Sequence, residues 1–218
     1  MSFPPLFFDL DGTLLDTVDD VTADMIATLE ELGLDVERYR ARFRIGPTLR
    51  QALFDVYPEM TDALVEEFVC RFRKRYDTSD YPATHPYPGI DELLHHASDA
   101  GHKLFIVTFK RWPPTVRLIE KFGWTELFTE IFAVDRFAPE IPVMLKPEMI
   151  ARAGVDLTGA MLIGDAPTDV DAARESGLTA VAVTWGYSSE EELRFALTPG
   201  DKIVHRVEEL SDLLFGSR

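Results

Sequence analysis

One cysteine is all that the 218 residues contain, so no internal disulfide can form and no set of thiols is at hand for zinc. Stability has to come from a packed core. Cys70 itself reads as a small core residue in a chain suited to a reducing, cytoplasmic setting. The five histidines show no metal-ligand spacing, and the adjacent His95 and His96 point to different sides of an expected helix. No apolar run reaches the roughly 18 residues that a membrane-crossing helix needs. The opening stretch MSFPPLFFDLDG has neither the basic region nor the apolar run of a signal peptide. Basic residues are in short supply too: 22 Lys and Arg face 38 Asp and Glu, for a formal charge of −16. Nucleic acid and anionic membranes are bound by neutralising phosphate with cations, so neither is expected as a partner. Internal repeats and low-complexity segments are also missing, which leaves no sign of disorder.

What is present belongs to an ordinary globular chain, 46% hydrophobic and 28% charged. The length suits one large domain or a core with a modest insertion. Five short apolar runs set the frame: PLFF before Asp9, KLFIV before Thr108, EIFAV before Asp135, AMLI before Gly164 and TAVAV before Thr184. Continuous runs of this length fit strands buried on both faces of a parallel sheet. Helical patterns lie between the later runs, in PPTVRLIEKFG, KPEMIARAG and PTDVDAARESG, and close on Gly residues suited to helix C-caps. This rhythm predicts an α/β fold, a Rossmann-like doubly wound parallel sheet with ligands at the carboxyl ends of its strands. Residues 17–85 differ, being helical with no strand-like run. Thr17 is the N-cap candidate for a helix over 17–32, and further helices are expected at 48–57 and 61–76. The chain thus divides into a core, residues 1–16 and 86–218, and an inserted helical cap, residues 17–85. HPYPGI marks the return to the core, and VEELSDLL reads as a last amphipathic helix upon it.

The stretch FFDLDGTLLDT, residues 7–17, runs a buried strand into two carboxylates. Asp-Gly between apolar runs also signals a type I′ hairpin turn, and this stretch alone is compatible with either a hairpin or a catalytic loop. Other strand ends carry more: Asp9, Thr108, Asp165 and Asp169 all fall at or just after one, and Lys146 opens a helix. Carboxylates gathered there repel one another unless a cation sits among them, and hard oxygen ligands suit Mg2+. With Mg2+ present, Asp9 can stay ionised and attack phosphorus, Asp11 can give and take the proton, and Lys146 with the Thr108 hydroxyl can hold phosphoryl oxygens.

In the same chain order, DLDGTLLDT (9–17), VTFK (107–110), KPEM (146–149) and GDAPTD (164–169) resemble the motifs of the haloacid dehalogenase superfamily of phosphohydrolases. The resemblance spans nearly the whole chain. It implies a Rossmann-like core with a helical cap inserted after the first motif. It also makes Asp9 the nucleophile and a metal ligand, and Asp11 the acid/base that offers its main-chain carbonyl to Mg2+. Asp165 becomes a direct ligand, and Asp169 acts through water or by orienting Lys146. Asp11 separates the chain from relatives that break carbon–halogen bonds and from ion pumps, which have no acid there. Thr13 has the phosphatase form, and TVDDVT lacks the His that sugar phosphomutases carry early in the cap. One departure stands out: Phe109 replaces the Asn that many relatives have after the Thr of the second motif. Phe109 is therefore expected to shape the leaving-group pocket, with Lys110 beside it touching substrate.

The cap is rich in Arg, with Arg38, Arg40, Arg42, Arg44 and Arg50, and then RFRKRY at 71–76. Most such residues are solvated faces or partners of nearby acids. Arg44 and Arg50 are candidates to bind a second anionic group of the substrate, such as a carboxylate, through a bidentate pair, and Gly46 joins them because IGPTL (45–49) resembles a cap loop of phosphoglycolate-type phosphatases that faces the active site. Trp112, Trp124 and Trp185 read as packing residues, and Asp135 as a rim or capping residue. The expected function is hydrolysis of a small phosphorylated metabolite of the phosphoglycolate kind, with Mg2+ and an aspartyl-phosphate intermediate, by a cytoplasmic monomer or homodimer. The alternatives are a sugar phosphomutase of the same superfamily and an inactive metal-binding regulatory module.

Overall fold

A computed structural model describes residues 3–42 and 49–216. The chain opens with β1 (Leu6–Phe8) and β2 (Leu15–Asp16), then runs through α1 (Val18–Glu31), α2 (Val36–Arg42), α3 (Leu49–Val56) and α4 (Asp62–Tyr76). It returns through β3 (His85–Pro86), α5 (Ile90–Ala100), β4 (Leu104–Thr108), α6 (Trp112–Lys121) and β5 (Phe128–Ala133). The rest is α7 (Lys146–Arg152), β6 (Met161–Gly164), α8 (Pro167–Glu175), β7 (Thr179–Val183), α9 (Glu190–Ala196), β8 (Lys202–Val204) and α10 (Val207–Phe215). Two compact units result, one of residues 1–16 and 85–218, the other of residues 17–84.

In the first unit six strands form one sheet in the order β5-β4-β1-β6-β7-β8, every pair parallel. The chain winds from β1 to one edge and then, from β6 beside β1, to the other. That places the switch point of a doubly wound sheet at β1, where such sheets bind ligands. Every residue of β1 and β4 is buried, which is why their sequences read as unbroken apolar runs rather than alternating ones. On one face Phe7 stacks on Phe105 with ring centroids 4.8 Å apart. Val107 and Leu162 join them, and Met149 and Ile150 of α7 and Val170 of α8 close that core. Leu6, Phe8 and Ile106, pointing to the opposite face by the strand's period of two, are buried as well.

Three expectations need correcting here. The sheet has a sixth strand, β8, which sits at the edge and is mostly exposed outside Val204; a half-exposed strand of three residues leaves no apolar run to read. The hairpin reading of the first acidic stretch fails, because β1 pairs in parallel with β4 and β6, while β2 pairs antiparallel with the distant β3. The turn after Asp9 is instead a local loop in which Thr13 N and Leu14 N donate to Leu10 O. Thr17 occupies the N-cap position of α1, yet its backbone is already right-handed helical and its side chain makes no capping bond. A working N-cap needs extended backbone to aim the hydroxyl at the first turn.

The second unit is helical. Met25 and Leu29 of α1, Tyr39 of α2, Leu53 and Val56 of α3, and Val65, Phe68 and Val69 of α4 form its core. α1 ends before Gly33, whose φ of 67° gives the left-handed turn that a helix terminus requires. Thr61 caps α4 by accepting from Leu64 N at 3.3 Å. Cys70 is exposed, contrary to the core position expected of it: the apolar stripe 65, 68, 69, 72 of α4 leaves position 70 on the solvent side. Asp20, although buried, accepts from Ala83 N (3.1 Å), Thr84 N (2.7 Å) and Thr84 Oγ1 (2.6 Å), tying the first and last turns of the unit together. Among the described residues no helix is long and apolar enough to cross a membrane.

Candidate active site

Parallel pairing brings the carboxyl ends of β1, β4 and β6 level, since Phe8 is opposite Ile106 on one side and Ile163 on the other. Asp9 follows β1 directly, and its N–H donates to Ile163 O at 2.9 Å. Thr108 is the last residue of β4, and Asp165 follows the last residue of β6. Lys146 starts α7, where Glu148 folds back to accept from Leu145 N at 2.9 Å and so fixes the first turn. Asp169 lies in the first turn of α8 and accepts from Ala166 N at 3.1 Å.

These residues meet. Asp9, Asp165 and Asp169 each offer a carboxylate oxygen within 4.8 Å of the others, and all three are buried. Lys146, 2% exposed, donates from Nζ to Asp169 Oδ1 and lies 3.0 Å from Asp9 Oδ1. The second contact is an ion pair, and it is poorly directed as a hydrogen bond, so the buried Asp9 Oδ1 is only partly satisfied. Asp165 is better satisfied: Oδ1 accepts from Thr13 Oγ1 at 3.2 Å and Oδ2 from Tyr187 N at 2.7 Å. Two glycines let the carboxylates sit so close to the main chain. A Cβ on Gly12, where φ is 77°, would lie 2.3 Å from Asp165 Oδ2, and one on Gly164 would lie 2.3 Å from Asp169 Cγ.

Three carboxylates share one ammonium here, and the titration of the cluster reflects it. Burial drives Asp9 from the usual 3.8 up to about 7; Lys146 opposes the shift, while Asp169, Asp165 and Asp11 add to it. Burial likewise raises Asp165 to about 6 against the pull of the Tyr187 N–H. For Lys146 burial acts to remove the proton, but Asp169 and Asp9 together outweigh it and hold the ammonium above its usual range. Excess negative charge, a poorly satisfied buried oxygen and an all-oxygen ligand set fit a hard divalent cation such as Mg2+.

The remaining candidates fall around this cluster or elsewhere. The Asp11 carboxylate is not in the group of three; it pairs with Lys110 Nζ at 2.9 Å. Lys110 N donates to Thr108 Oγ1 at 3.1 Å. Phe109, between them, is 45% exposed, and its ring centroid is 5.2 Å from Lys146 Nζ. Asp135 accepts from Trp112 N at 2.6 Å and from Arg111 Nε at 2.9 Å, so it caps α6. Arg50 belongs to the helical unit, where it pairs with Asp62 and Glu66. Arg44 and Gly46 lie outside the described residues. A surface cavity of about 390 Å³ is lined by Arg174, Glu192 and Phe195 among others and by none of Asp9, Asp11, Asp165 and Asp169.

Sequence reasoning missed the loop after β7. Trp185, read as a packing residue, donates from Nε1 to Thr13 O at 3.1 Å, and its neighbour Tyr187 supplies the donor to Asp165. The available signal was position: the TAVAV run ends on the same edge of the sheet as the three acidic ones, with Gly186 three residues on.

Residues 6–183 match the family model described as haloacid dehalogenase-like hydrolase. Phosphoglycolate phosphatase of Mesorhizobium japonicum is 32% identical over 202 residues, covering 89% of this chain and 88% of that protein. The phosphoglycolate phosphatase of Aquifex aeolicus is 30% identical over 192 residues, covering 84% and 85%. Among solved structures, a haloacid dehalogenase-like family hydrolase from Streptococcus pneumoniae superposes with a TM-score of 0.79 at 26% identity, over 97% of this chain and 98% of that one. A hydrolase from Pseudomonas syringae shares the fold with a TM-score of 0.74 at 23% identity, over 97% of each chain.

Proposed function

The chain belongs to the haloacid dehalogenase-like hydrolases and is a phosphatase acting on phosphoric monoesters, and from that premise we propose that it hydrolyses a small phosphorylated metabolite through an aspartyl-phosphate on Asp9. Phosphoglycolate is the first substrate to try, since relatives across most of the chain carry that name. The observation that carries the reading is Asp9 Oδ1, a buried carboxylate oxygen whose neighbour is the Lys146 ammonium at 3.0 Å, in a cluster where three buried carboxylates face that ammonium. Asp9, Asp165 and Asp169 would hold Mg2+, which would offset the charge of carboxylates and phosphate and draw electron density from phosphorus.

The protein's own groups account for the rest. Lys146 and the Thr108 hydroxyl bind phosphoryl oxygens and orient phosphorus toward Asp9. Incoming phosphate also draws Lys110 from Asp11, and Asp11 then takes up a proton from solvent. Asp9 then forms a bond to phosphorus as the ester oxygen leaves with the proton of Asp11. In the second half Asp11 takes a proton from water, whose oxygen bonds to phosphorus while the Asp9–phosphorus bond breaks, restoring the Asp9 carboxylate and the protonated Asp11 and releasing phosphate. Phe109 presents an apolar ring beside Lys146 and borders the leaving group. We read residues 17–85 as the cap that contributes substrate specificity, and the protein as acting in the cytoplasm.

The test is phosphate release from a panel of small phosphomonoesters, phosphoglycolate included, with and without Mg2+. Release that depends on Mg2+ and falls roughly 10⁴-fold or more in Asp9→Asn is expected, the scale on which loss of a covalent nucleophile is felt. Undiminished turnover by Asp9→Asn would remove the mechanism, and a bisphosphate product would favour the mutase.

A further inference from the structure

We propose that the loop after β7, Trp185 to Tyr187, is a positioning element that sets how tightly the carboxylate cluster holds its divalent cation; the inference rests on the metal reading above. A carboxylate as buried as Asp165, 3% exposed, has almost no water to satisfy it, so its orientation depends on the protein donors that reach it. These donors form a closed circuit. Tyr187 N donates to Asp165 Oδ2 at 2.7 Å, and Thr13 Oγ1 donates to Asp165 Oδ1 at 3.2 Å. The carbonyl of that same Thr13 accepts from Trp185 Nε1 at 3.1 Å, two residues from Tyr187. Rotation of the Asp165 carboxylate therefore requires both the first acidic loop and the loop after β7 to move.

The middle of the loop is equally constrained. A Cβ on Gly186 would come within 2.3 Å of Asp165 Cβ and 2.4 Å of Gly12 O, so any larger residue would push the Tyr187 N–H off its acceptor. Tyr187 makes a further link, from its hydroxyl to Asp16 Oδ1 at 3.3 Å. The loop thus grips residues 12–16 through Gly12, Thr13 and Asp16, with Asp165 enclosed between. None of its three residues belongs to the carboxylate cluster, yet together they fix the direction in which one of its members faces.

The experiment measures Mg2+ affinity by titration calorimetry on the full chain, with folding checked by circular dichroism. Trp185→Phe keeps an aromatic ring but removes the Nε1 donor, and the Mg2+ dissociation constant is expected to rise about tenfold or more, as for other partners that orient metal ligands. Tyr187→Phe should raise it by a smaller factor. For both variants, phosphatase kcat at saturating Mg2+ and substrate KM should shift less than the Mg2+ constant. Trp124→Phe is the control for a purely structural loss, since Trp124 is fully buried and donates from Nε1 to Asp91 at 2.7 Å; its Mg2+ affinity should equal that of the wild type. Wild-type affinity in Trp185→Phe, or equal weakening in Trp124→Phe, would overturn the proposal and leave the phosphatase reading standing. A wild-type protein that binds no divalent cation would overturn the metal reading along with it. Should Trp185→Phe fail to fold, Tyr187→Phe decides by the same comparison with Trp124→Phe.

Discussion

The two units treat charge in opposite ways. In the sheet unit Lys146 and three carboxylates are buried together at strand and helix ends. In the helical unit guanidinium groups lie at the surface beside acids: Arg38 with Glu59, Arg50 with Asp62 and Glu66, Arg71 with Glu67, Arg75 with Glu31. Exposed pairs of that kind are worth about 0–1 kcal/mol each, because water screens them and long side chains lose freedom in forming them. Buried charge is costly unless it is compensated, and in the proposed function the four positions that retain it are the ones assigned to chemistry. Asp20 is the helical unit's exception, buried but satisfied entirely by hydrogen bonds from the end of its own unit.

The sharpest way to break this contrast is Lys146→Met, which leaves three carboxylates without their ammonium. Turnover is expected to fall about 10²–10³-fold, as when a preorganised electrostatic donor is lost from an active site. The metal-free variant should also lose about 3–5 kcal/mol in urea unfolding, the usual effect of removing one partner from a buried pair. A variant with kcat within tenfold of the wild type would place the buried charge outside the chemistry. Next in size is Asp20→Ala. Three donors, Ala83 N, Thr84 N and Thr84 Oγ1, lose a charged acceptor. Hydrogen bonds to a charged group are worth about 1.5–3 kcal/mol, and unmet buried donors add to the loss. A destabilisation of about 2–4 kcal/mol in urea unfolding is expected; below about 1 kcal/mol, the tie between the ends of the helical unit would be ornamental.

The same contrast decides what the sequence made legible. Strands buried on both faces must be apolar throughout, so PLFF, KLFIV and TAVAV announced β1, β4 and β7, and a parallel sheet brings such strand ends together. The acids at those ends could therefore be grouped before any geometry was known. β8 escaped because an exposed edge strand is under no pressure to be apolar. Trp185 and Tyr187 escaped because their roles run through an indole N–H and a main-chain N–H, neither of which a residue type advertises. Cys70 went astray because a small apolar residue carries too little hydrophobic surface to fix which side of a helix it faces. Arg residues of the helical unit were visible as charges, but which of them meets an acid next to it depends on the spacing of α3 and α4, not on composition.

A smaller effect separates the units by pH. In metal-free protein Asp9 is raised from 3.8 to about 7 and Asp165 from 3.8 to about 6. Between pH 4 and 7, roughly, the folded state then binds more protons at these sites than the unfolded state does, so their contribution to stability falls as pH rises through the window. Mg2+ competes with those protons, and the rise in Tm on adding saturating Mg2+ to stripped protein should be larger at pH 8 than at pH 5. Asp20→Ala, which alters neither of these carboxylates, should keep the same pH dependence of the Mg2+ effect. An equal rise in Tm at both values would mean that the cation binds elsewhere than on Asp9 and Asp165.

The smallest expected effect belongs to Arg50→Ala. Arg50 was a candidate for the substrate's second anionic group, but its guanidinium is already engaged with Asp62 and Glu66 in partly exposed ion pairs. For Arg50 to bind substrate it would have to leave two carboxylates for one, a gain only if the substrate's carboxylate were far better desolvated. The variant should therefore lose less than about 1 kcal/mol of stability and keep KM for phosphoglycolate within about twofold, since exposed pairs contribute little either way. A tenfold rise in KM at unchanged kcat would signal about 1.4 kcal/mol of lost substrate binding, and would set Arg50 apart from Arg38, Arg71 and Arg75, whose charges meet acids of their own unit.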